Sequence, residues 1–363
     1  MNVGGDIDKA NVSSIQTDEF KYPVIANALS NDGIYGYTSE YKDDSPSITV
    51  TGRGDVGLAK YRDYPLFPIV RLLVLHSKGK IDCRFGEHAI NCIKKYEEST
   101  GVPQLTAPQL GAYSISFPNL TEQAKIGAFL KLIDDRISTQ IRIIDKLKSL
   151  MQGLINELMD NPKWAKIYVG DFMEFYSTNS LSWEQLNYND GQVRNLHYGL
   201  IHSGLPTLVD CHKISLPYIQ DASLPKQYVI CKDGDVAFAD ASEDTAEVGK
   251  AVELTNIGTQ TIACGLHTIH GRDVKNIMVG GFKGFAFNSK YFHDQLRRIA
   301  QGSKVYSINT DNVKSCYIYI PTIDEQQKIV GLLCCMQEKM GFAEEELRQY
   351  TIQKQFLLKG LFV

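Results

Sequence analysis

The chain is 363 residues long, with 43% apolar and 22% charged residues, which allows two domains with cores of their own and excludes a disordered polymer. Its formal net charge is −4 and each domain or helix part lies within about two charges of neutral, so a broad basic surface for phosphates is absent unless a basic partner supplies one. No run approaches the ~18 apolar residues of a membrane span, no basic-then-apolar leader is visible, and the eight cysteines show no C-x-x-C spacing. Reduced thiols, no membrane and a cytoplasmic location are therefore expected.

Residues 1–118 read as a mixed domain rich in strand signals. Tyr22-Pro23-Val24-Ile25 is a short strand run, Asn31-Asp32-Gly33 a turn, and Ser47-Ile48-Thr49-Val50-Thr51 a β-branched, alternating strand. That strand runs into Gly52-Arg53-Gly54-Asp55-Val56-Gly57, whose glycines let the backbone turn tightly and approach a ligand. The P-loop lysine and hydroxyl are missing and no dinucleotide spacing fits, so nucleotide binding is not expected. Val70 to Leu75 reads as a further strand with Arg71 inside it, and Glu87 to Tyr96 as a helix ending on Lys94-Lys95.

Residues 119–160 follow as one long helix. Ile126, Leu130, Ile133, Ile137, Gln140, Ile144, Leu147, Met151, Leu154 and Leu158 form a 4-3-4-3 ladder, the narrow seam of a coiled coil. Thr121 is the expected N-terminal cap, and Asn161-Pro162 the stop. A shift of 203 residues turns Phe117-Pro118-x-x-x-Glu122-Gln123-x-Lys125-Ile126 into Ile320-Pro321-x-x-x-Glu325-Gln326-x-Lys328-Ile329. The second ladder reads Ile329, Leu333, Met336, Met340, Ala343, Leu347, Tyr350, Lys354, Leu357 and Leu361. Two seams in one chain can satisfy each other, which predicts an intramolecular helix pair; the polar members Gln140 and Lys354 are read as fixing register.

Between the ladders, residues 161–321 repeat the first domain weakly, and 322–363 carry the second helix. Trp164 to Phe172 is a strand entering a turn. Gly234 to Asp240 is a strand running into the polar loop Ala241 to Glu247, which Val248 to Val252 leaves, much as Ile48 to Ala59 does. Tyr291 to Gln301 is a helix carrying Arg297-Arg298, and the segment from Gly302 to Asn309 aligns with Gly101 to Thr106.

With domain, helix, domain, helix in this order, the chain resembles the specificity (S) subunits of type I restriction–modification systems. The likeness rests on the paired Pro-x-x-x-Glu-Gln-x-Lys-Ile helix starts with their heptads, on Tyr22-Pro23-Val24 and Thr49-Val50-x-x-Arg53-Gly54, on Phe238-x-x-Ala241-Ser242-Glu243-Asp244 and Val248 to Leu254, and on Gly265-Leu266-His267-Thr268. It implies an α/β (α+β) fold with two target recognition domains, separated by an antiparallel coiled coil and related by a pseudo-two-fold repeat. It also implies a non-catalytic reader of double-stranded DNA with a bipartite, asymmetric site. Two methyltransferase subunits and two restriction subunits are its implied partners. S-adenosylmethionine and ATP with Mg²⁺ would belong to them, leaving no cofactor here. Relative to the family pattern, the first domain begins inside the region that Trp164 to Phe172 opens in the second. A truncated or silent, recombinable copy is therefore an alternative, and a coiled-coil scaffold that never touches DNA is another.

Candidate DNA contacts lie in loops at strand ends: Arg53, Gly54, Lys60 and Arg62 in the first domain, and Ser242, Lys250, His267, Arg297, Arg298 and Lys304 in the second. Arginine suits bidentate contact to guanine and lysine suits phosphate. Catalysis is not expected. An amino-methyltransferase needs an Asn/Asp-Pro-Pro-Tyr/Phe tetrapeptide and the chain has no Pro-Pro, while Asp240, Glu243, Asp244 and Glu247 read as a solvated loop. His267 and His270 suggest a metal pair, but no Cys or carboxylate stands at ligand spacing, so no metal is expected.

Overall fold

The computed structural model describes residues 1–93, 103–244, 247–302 and 304–362. Lys94, Lys95 and Tyr96, the Gly101-Val102 pair, Thr245-Ala246 and Ser303 lie outside the described residues. The chain divides into two units, Met1–Arg142 with Glu345–Val363, and Ile143–Glu344.

In the first unit, strands β1 (Asn2–Val3), β2 (Tyr22–Ile25), β3 (Ile34–Thr38), β4 (Ser47–Val50), β5 (Ala59–Arg62), β6 (Phe67–Pro68) and β7 (Leu73–Leu75) precede helices α1 (Cys83–Cys92) and α2 (Ala107–Gly111) and the start of α3 (Leu120–Met159). A four-stranded antiparallel sheet has the order β1-β7-β4-β5, and β3-β2-β6 forms a second. All four residues of β4 are buried, which suits its β-branched Ile48, Thr49 and Val50. Its apolar neighbours Leu73, Ile90, Leu105 and Leu110 complete that core.

The strand predicted over 70–75 starts only at Leu73. Val70 and Arg71 are left-handed (φ 55° and 61°) and their N–H groups donate to Gly5 and Gly4 carbonyls at 2.9 and 2.8 Å. Tertiary hydrogen bonds have overridden a strand-like composition. The helix predicted over 87–96 instead begins at Cys83, because the Asp82 carboxylate accepts from the Arg84 and Phe85 N–H groups and caps it there.

The second unit contains β8 (Ala165–Tyr168), β9 (Met173–Tyr176), β10 (Leu186–Asn187), β11 (Arg194–Leu196), α4 (Tyr198–His202), β12 (Leu208–Asp210), β13 (Tyr218–Ile219), β14 (Val236–Ala239), β15 (Ala241–Ser242), β16 (Ala251–Thr255), β17 (Ile262–Cys264) and β18 (Thr268–Asp273). Then come α5 (Phe282–Phe287), α6 (Lys290–Ile299), β19 (Tyr306–Ser307), α7 (Thr310–Ser315), β20 (Tyr317–Ile320) and the start of α8 (Ile323–Leu361). Its main sheet, β12-β16-β14-β18-β9, repeats the first unit's β5-β4-β7-β1 as β16-β14-β18-β9, with β14 buried throughout. A smaller sheet has the order β10-β13-β11-β17. Phe238, Phe282, Phe285, Phe287 and Phe292 fill the core together with Met151, Ile155 and Met159 of α3 and Ile329, Leu333 and Met336 of α8.

The duplicated Glu-Gln has one structural job in both copies. Gln123 is fully buried; its amide donates to Pro118 and Lys80 carbonyls (2.8 and 3.1 Å) and its Oε1 accepts from Asp82 N–H (2.9 Å). Gln326, equally buried, donates to Pro321 and Ile277 carbonyls (both 3.1 Å) and accepts from Val279 N–H (2.9 Å). Each glutamine thus ties a passing loop to the first turn of a long helix, and neutral amide geometry is required because it must give and accept at once. Gln326→Ala is expected to destabilise the second unit by about 1–3 kcal/mol, since buried backbone groups lose their partners; tryptophan-monitored urea unfolding checks this, because both Trp164 and Trp183 lie in that unit.

The expected cap of α3 is corrected: the Asn119 side chain, not Thr121, accepts from Glu122 N–H at 3.0 Å. In α8 the Thr322–Glu325 pair forms a reciprocal capping box. Along the ladders, Leu130, Ile133, Gln140, Ile144, Met151, Ile329, Leu333, Met336 and Ala343 are buried. Ile126, Ile137, Leu147, Leu154, Leu158, Met340, Leu347, Tyr350, Lys354 and Leu357 are half-buried, and Leu361 is exposed. Within the first unit, Lys354 pairs with Asp134 at 2.5 Å and Arg136 lies over the Tyr350 ring, so the two helix segments run antiparallel. Within the second, Lys148 pairs with Glu344 at 3.3 Å, and Met151, Met159, Ile329 and Met336 share one core.

Candidate nucleic-acid interface

In the first unit the loop from Thr51 to Leu58 leaves the central strand β4. Thr51 ties it off: its hydroxyl accepts from Leu58 N–H (2.9 Å) and donates to the Asp55 carbonyl. Gly52 passes so close to the Arg71 and Leu105 carbonyls that a Cβ would sit 2.7 and 3.0 Å from them. Asn27 pins the same point, accepting from Gly52 N–H (2.7 Å) and donating to the Val70 carbonyl (2.5 Å). Gly54 is exposed and left-handed (φ 70°).

This arrangement brings two guanidinium groups together. Arg53 and Arg71 both donate to one acceptor, Gln104 Oε1, at 3.4 and 3.2 Å, and Arg53 also bridges Gln104 through its backbone. Among the described residues neither arginine has a carboxylate within ion-pair distance, and the buried Arg53 Nε has no acceptor. Two like charges held by one neutral carbonyl leave donors for a bidentate anion or a guanine edge. Arg71 escaped sequence analysis because it looked like a strand residue; the positive φ that aims it is set by hydrogen bonds to Gly4 and Gly5.

Lys60 and Arg62 are placed differently. Lys60 forms an ion pair with Asp32, and burial together with neighbouring Arg62 pulls its ammonium below the usual lysine range. Arg62 is buried. Its guanidinium is taken by the Thr49 hydroxyl, the Asp32 carboxylate and carbonyl, and the Tyr64 hydroxyl, all at 2.8–3.0 Å. It braces β5 against β4 and presents nothing to a ligand.

In the second unit the corresponding loop leaves β14. Its β15 pairs with β19, Ser242 opposite Tyr306 and Ala241 opposite Ser307, as Arg53 pairs with Gln104 in the first unit. Gln104 and Ser307 are themselves 203 residues apart, the offset of the helix starts. Around this loop stand three of the expected residues. Lys250 pairs with Glu247 at 2.9 Å, His267 with Asp240 at 3.0 Å, and the Ser242 hydroxyl accepts from Asp244 N–H. His267 is exposed on a left-handed turn (φ 53°), edge-on to Tyr198, which also faces His202 and His197, with the half-exposed Trp183 beyond. Burial raises the Asp240 carboxyl pKa and His267 works against that. Arg297 and Arg298 sit exposed on the last turn of α6, the former 3.6 Å from Asp294, and Lys304 is exposed beyond it. The two units therefore present one device with different chemistry: arginines sharing Gln104 without a carboxylate partner among the described residues in the first, and an aromatic and imidazole surface beside the Lys250–Glu247 pair in the second.

An open cleft of about 760 Å³, lined by Asp235, Arg272, Lys283 and Lys232 among others, lies at the opposite end of β14 from this loop. Buried His88 and His197 both have pKa values lowered from 6.5, chiefly by burial; Asp134 opposes this at His88, and His267 adds to it at His197. The folded protein keeps these rings neutral while the unfolded chain binds protons, so stability is lost as pH falls below 6.5. Melting temperature is expected to drop between about pH 7.5 and about pH 5.5, and a flat profile there would contradict the assignment.

Residues 4–149 match the family model of the type I restriction modification DNA specificity domain. The chain is 30% identical over 172 residues to a putative type I specificity subunit, S.MpnORF89P, of Mycoplasma pneumoniae, covering 46% of this chain and 51% of that protein. It is 33% identical over 111 residues to S.MpnORF507P of the same organism, 31% of each chain. The chain spans about half the length of the curated relatives it matches. Among solved structures, the type I restriction–modification S subunit from M. genitalium superposes with a TM-score of 0.62 at 16% identity, covering 100% of this chain and 93% of that one. A chain from a study of complex assembly and conformational transition of the type I R-M system gives 0.55 at 15% identity, covering 94% and 91%. At these identities the shared property is the fold. No helix is long and apolar enough to cross a membrane among the described residues.

Proposed function

We propose that this chain is a specificity subunit of a type I restriction–modification complex and reads double-stranded DNA for it; the match of residues 4–149 to the specificity-domain model and the likeness to S.MpnORF89P support this reading. Its two domains, residues 1–118 and 161–321, each read one half of a bipartite site. Adenine methylation and cleavage are carried out by partner methyltransferase and restriction subunits, two of each, which hold S-adenosylmethionine, ATP and Mg²⁺.

The observation that carries this reading is the repeated device itself. In both domains a polar loop leaves the buried central strand, is bridged by a segment just ahead of a long helix, and displays donors whose identity differs between the copies. Repetition of the frame suits paired half-sites, and divergence of the side chains suits half-sites of different sequence. The modest charge is consistent with partners that supply most of the phosphate contacts.

Co-expression with a type I methyltransferase subunit from the same source, followed by single-molecule sequencing of adenine methylation, tests this. One bipartite methylated motif that disappears without the chain is the expected result, and it supplies both half-sites and their spacer. A stable complex without methylation would favour a truncated or silent copy. Absence of any complex would favour the scaffold reading.

A further inference from the structure

The second unit gathers three buried donors that the function above does not use. Cys231 lies in the segment entering β14, where its N–H donates to the Ile262 carbonyl at 2.8 Å; Cys264 ends β17 and His270 is the third residue of β18. Their exposures are 2%, 3% and 0%, and one donor atom from each lies within 4.8 Å of the others. Sequence spacing hid this group, because 33 residues separate the cysteines and the two sheets that carry Cys264 and His270 bring them together only on folding.

We propose that Cys231, Cys264 and His270 form a binding site for a thiophilic transition-metal ion, with Zn²⁺ as the representative of that class. The two sulfurs stand 3.6 Å apart. A disulfide needs about 2.04 Å, whereas two thiolates on one tetrahedral Zn²⁺, each at about 2.3 Å, lie roughly 3.8 Å apart. The histidine is prepared for the role from behind. Its Nε2 meets Asp235 Oδ2 at 2.7 Å, and Asp235 is itself gripped by Arg272 through two bonds of 2.6 and 2.7 Å and by Lys232 N–H. A carboxylate held in this way accepts the hydrogen bond of Nε2–H and leaves the Nδ1 lone pair free, the arrangement that orients imidazole ligands. Nδ1 is buried and has no hydrogen-bond partner among the described residues.

Charge also balances. Binding releases two thiol protons to solvent, and two thiolates with one divalent ion leave no net charge, while Asp235 and Arg272 neutralise each other. Two thiolates and an imidazole are a donor set that suits zinc over harder ions. The ion would clip β17 of the smaller sheet to β18 of the main sheet, in the unit that carries the His267 turn.

The full chain, purified under reducing conditions and stripped with a chelator, is titrated with Co²⁺ as the optical probe and then with Zn²⁺. One equivalent with a thiolate-to-cobalt charge-transfer band, displaced by Zn²⁺, is expected. Cys231→Ser and Cys264→Ser should each lose the band, and Cys316→Ser, at another buried cysteine, should keep it. No band in the unsubstituted chain overturns the proposal without reliance on any variant. So does a band that survives in both serine variants, or a Cys231–Cys264 disulfide in freshly reduced protein.

Discussion

In an assembled methyltransferase complex, Arg71→Ala is expected to weaken DNA binding by about 5- to 150-fold and to blur one half-site only. The range corresponds to the roughly 1–3 kcal/mol of a bidentate base contact. Binding would be compared on three probes: the intact site, and sites with the first or the second half scrambled. The unsubstituted complex should lose affinity on either scrambled probe. With Arg71→Ala, scrambling the half read by the first domain should cost little more, while scrambling the other half should cost as much as before. Arg53→Ala should give the same pattern, since both guanidiniums share Gln104. Equal loss of discrimination at both halves would sink the assignment. Arg62→Ala serves as a contrast: its guanidinium is fully engaged inside the fold, so that change should lower stability and leave the recognised sequence intact.

The second large effect is structural. Glu253→Ala is expected to destabilise the second unit by about 3–5 kcal/mol, as breaking a buried ion pair does. Glu253 is wholly buried. It pairs with Lys283 at 3.2 Å and accepts from the Gly281 and Gly284 N–H groups at 2.8 Å each. Burial raises its carboxyl pKa, and Lys283 with those two amides pulls the other way. Removing the carboxylate leaves a buried ammonium and two amides at the start of α5 with nothing to face. Urea unfolding followed by tryptophan fluorescence should show a midpoint lower by on the order of 1 M or more. A change below about 0.5 kcal/mol would mean that the site relaxes to water.

Much of this architecture could be read before any coordinates because it is periodic or duplicated. The heptad ladders follow from spacing alone, and the alignment of Gly302 to Asn309 with Gly101 to Thr106 spans Gln104 and Ser307, although their pairing with the loops after β4 and β14 emerges only in the fold. The glutamines were visible as a motif, but their role as clamps was not, since their partners at Lys80 and Ile277 are more than forty residues away. Single residues misled where tertiary contacts decide. Arg62 looks like any strand arginine until Asp32 and Tyr64 close over it, and Arg71 looks like strand until two backbone bonds turn it outward. For Cys231, Cys264 and His270 no local pattern exists, because β17, β18 and the segment ahead of β14 supply one donor each.

The partition of the long helices also sets an order of events during synthesis. The second unit is continuous in sequence, from Ile143 to Glu344, whereas the first joins Met1–Arg142 to Glu345–Val363 across it. Phe362 packs against Phe85 with ring centres 5.1 Å apart, and Lys354 reaches Asp134. On the ribosome, the half of the protein that is made first must wait with the seam around Leu130 and Ile133 uncovered, while the half made later can close ahead of it. Loss of the segment from Glu345 onward would therefore injure a unit whose sheets lie more than two hundred residues earlier in the chain.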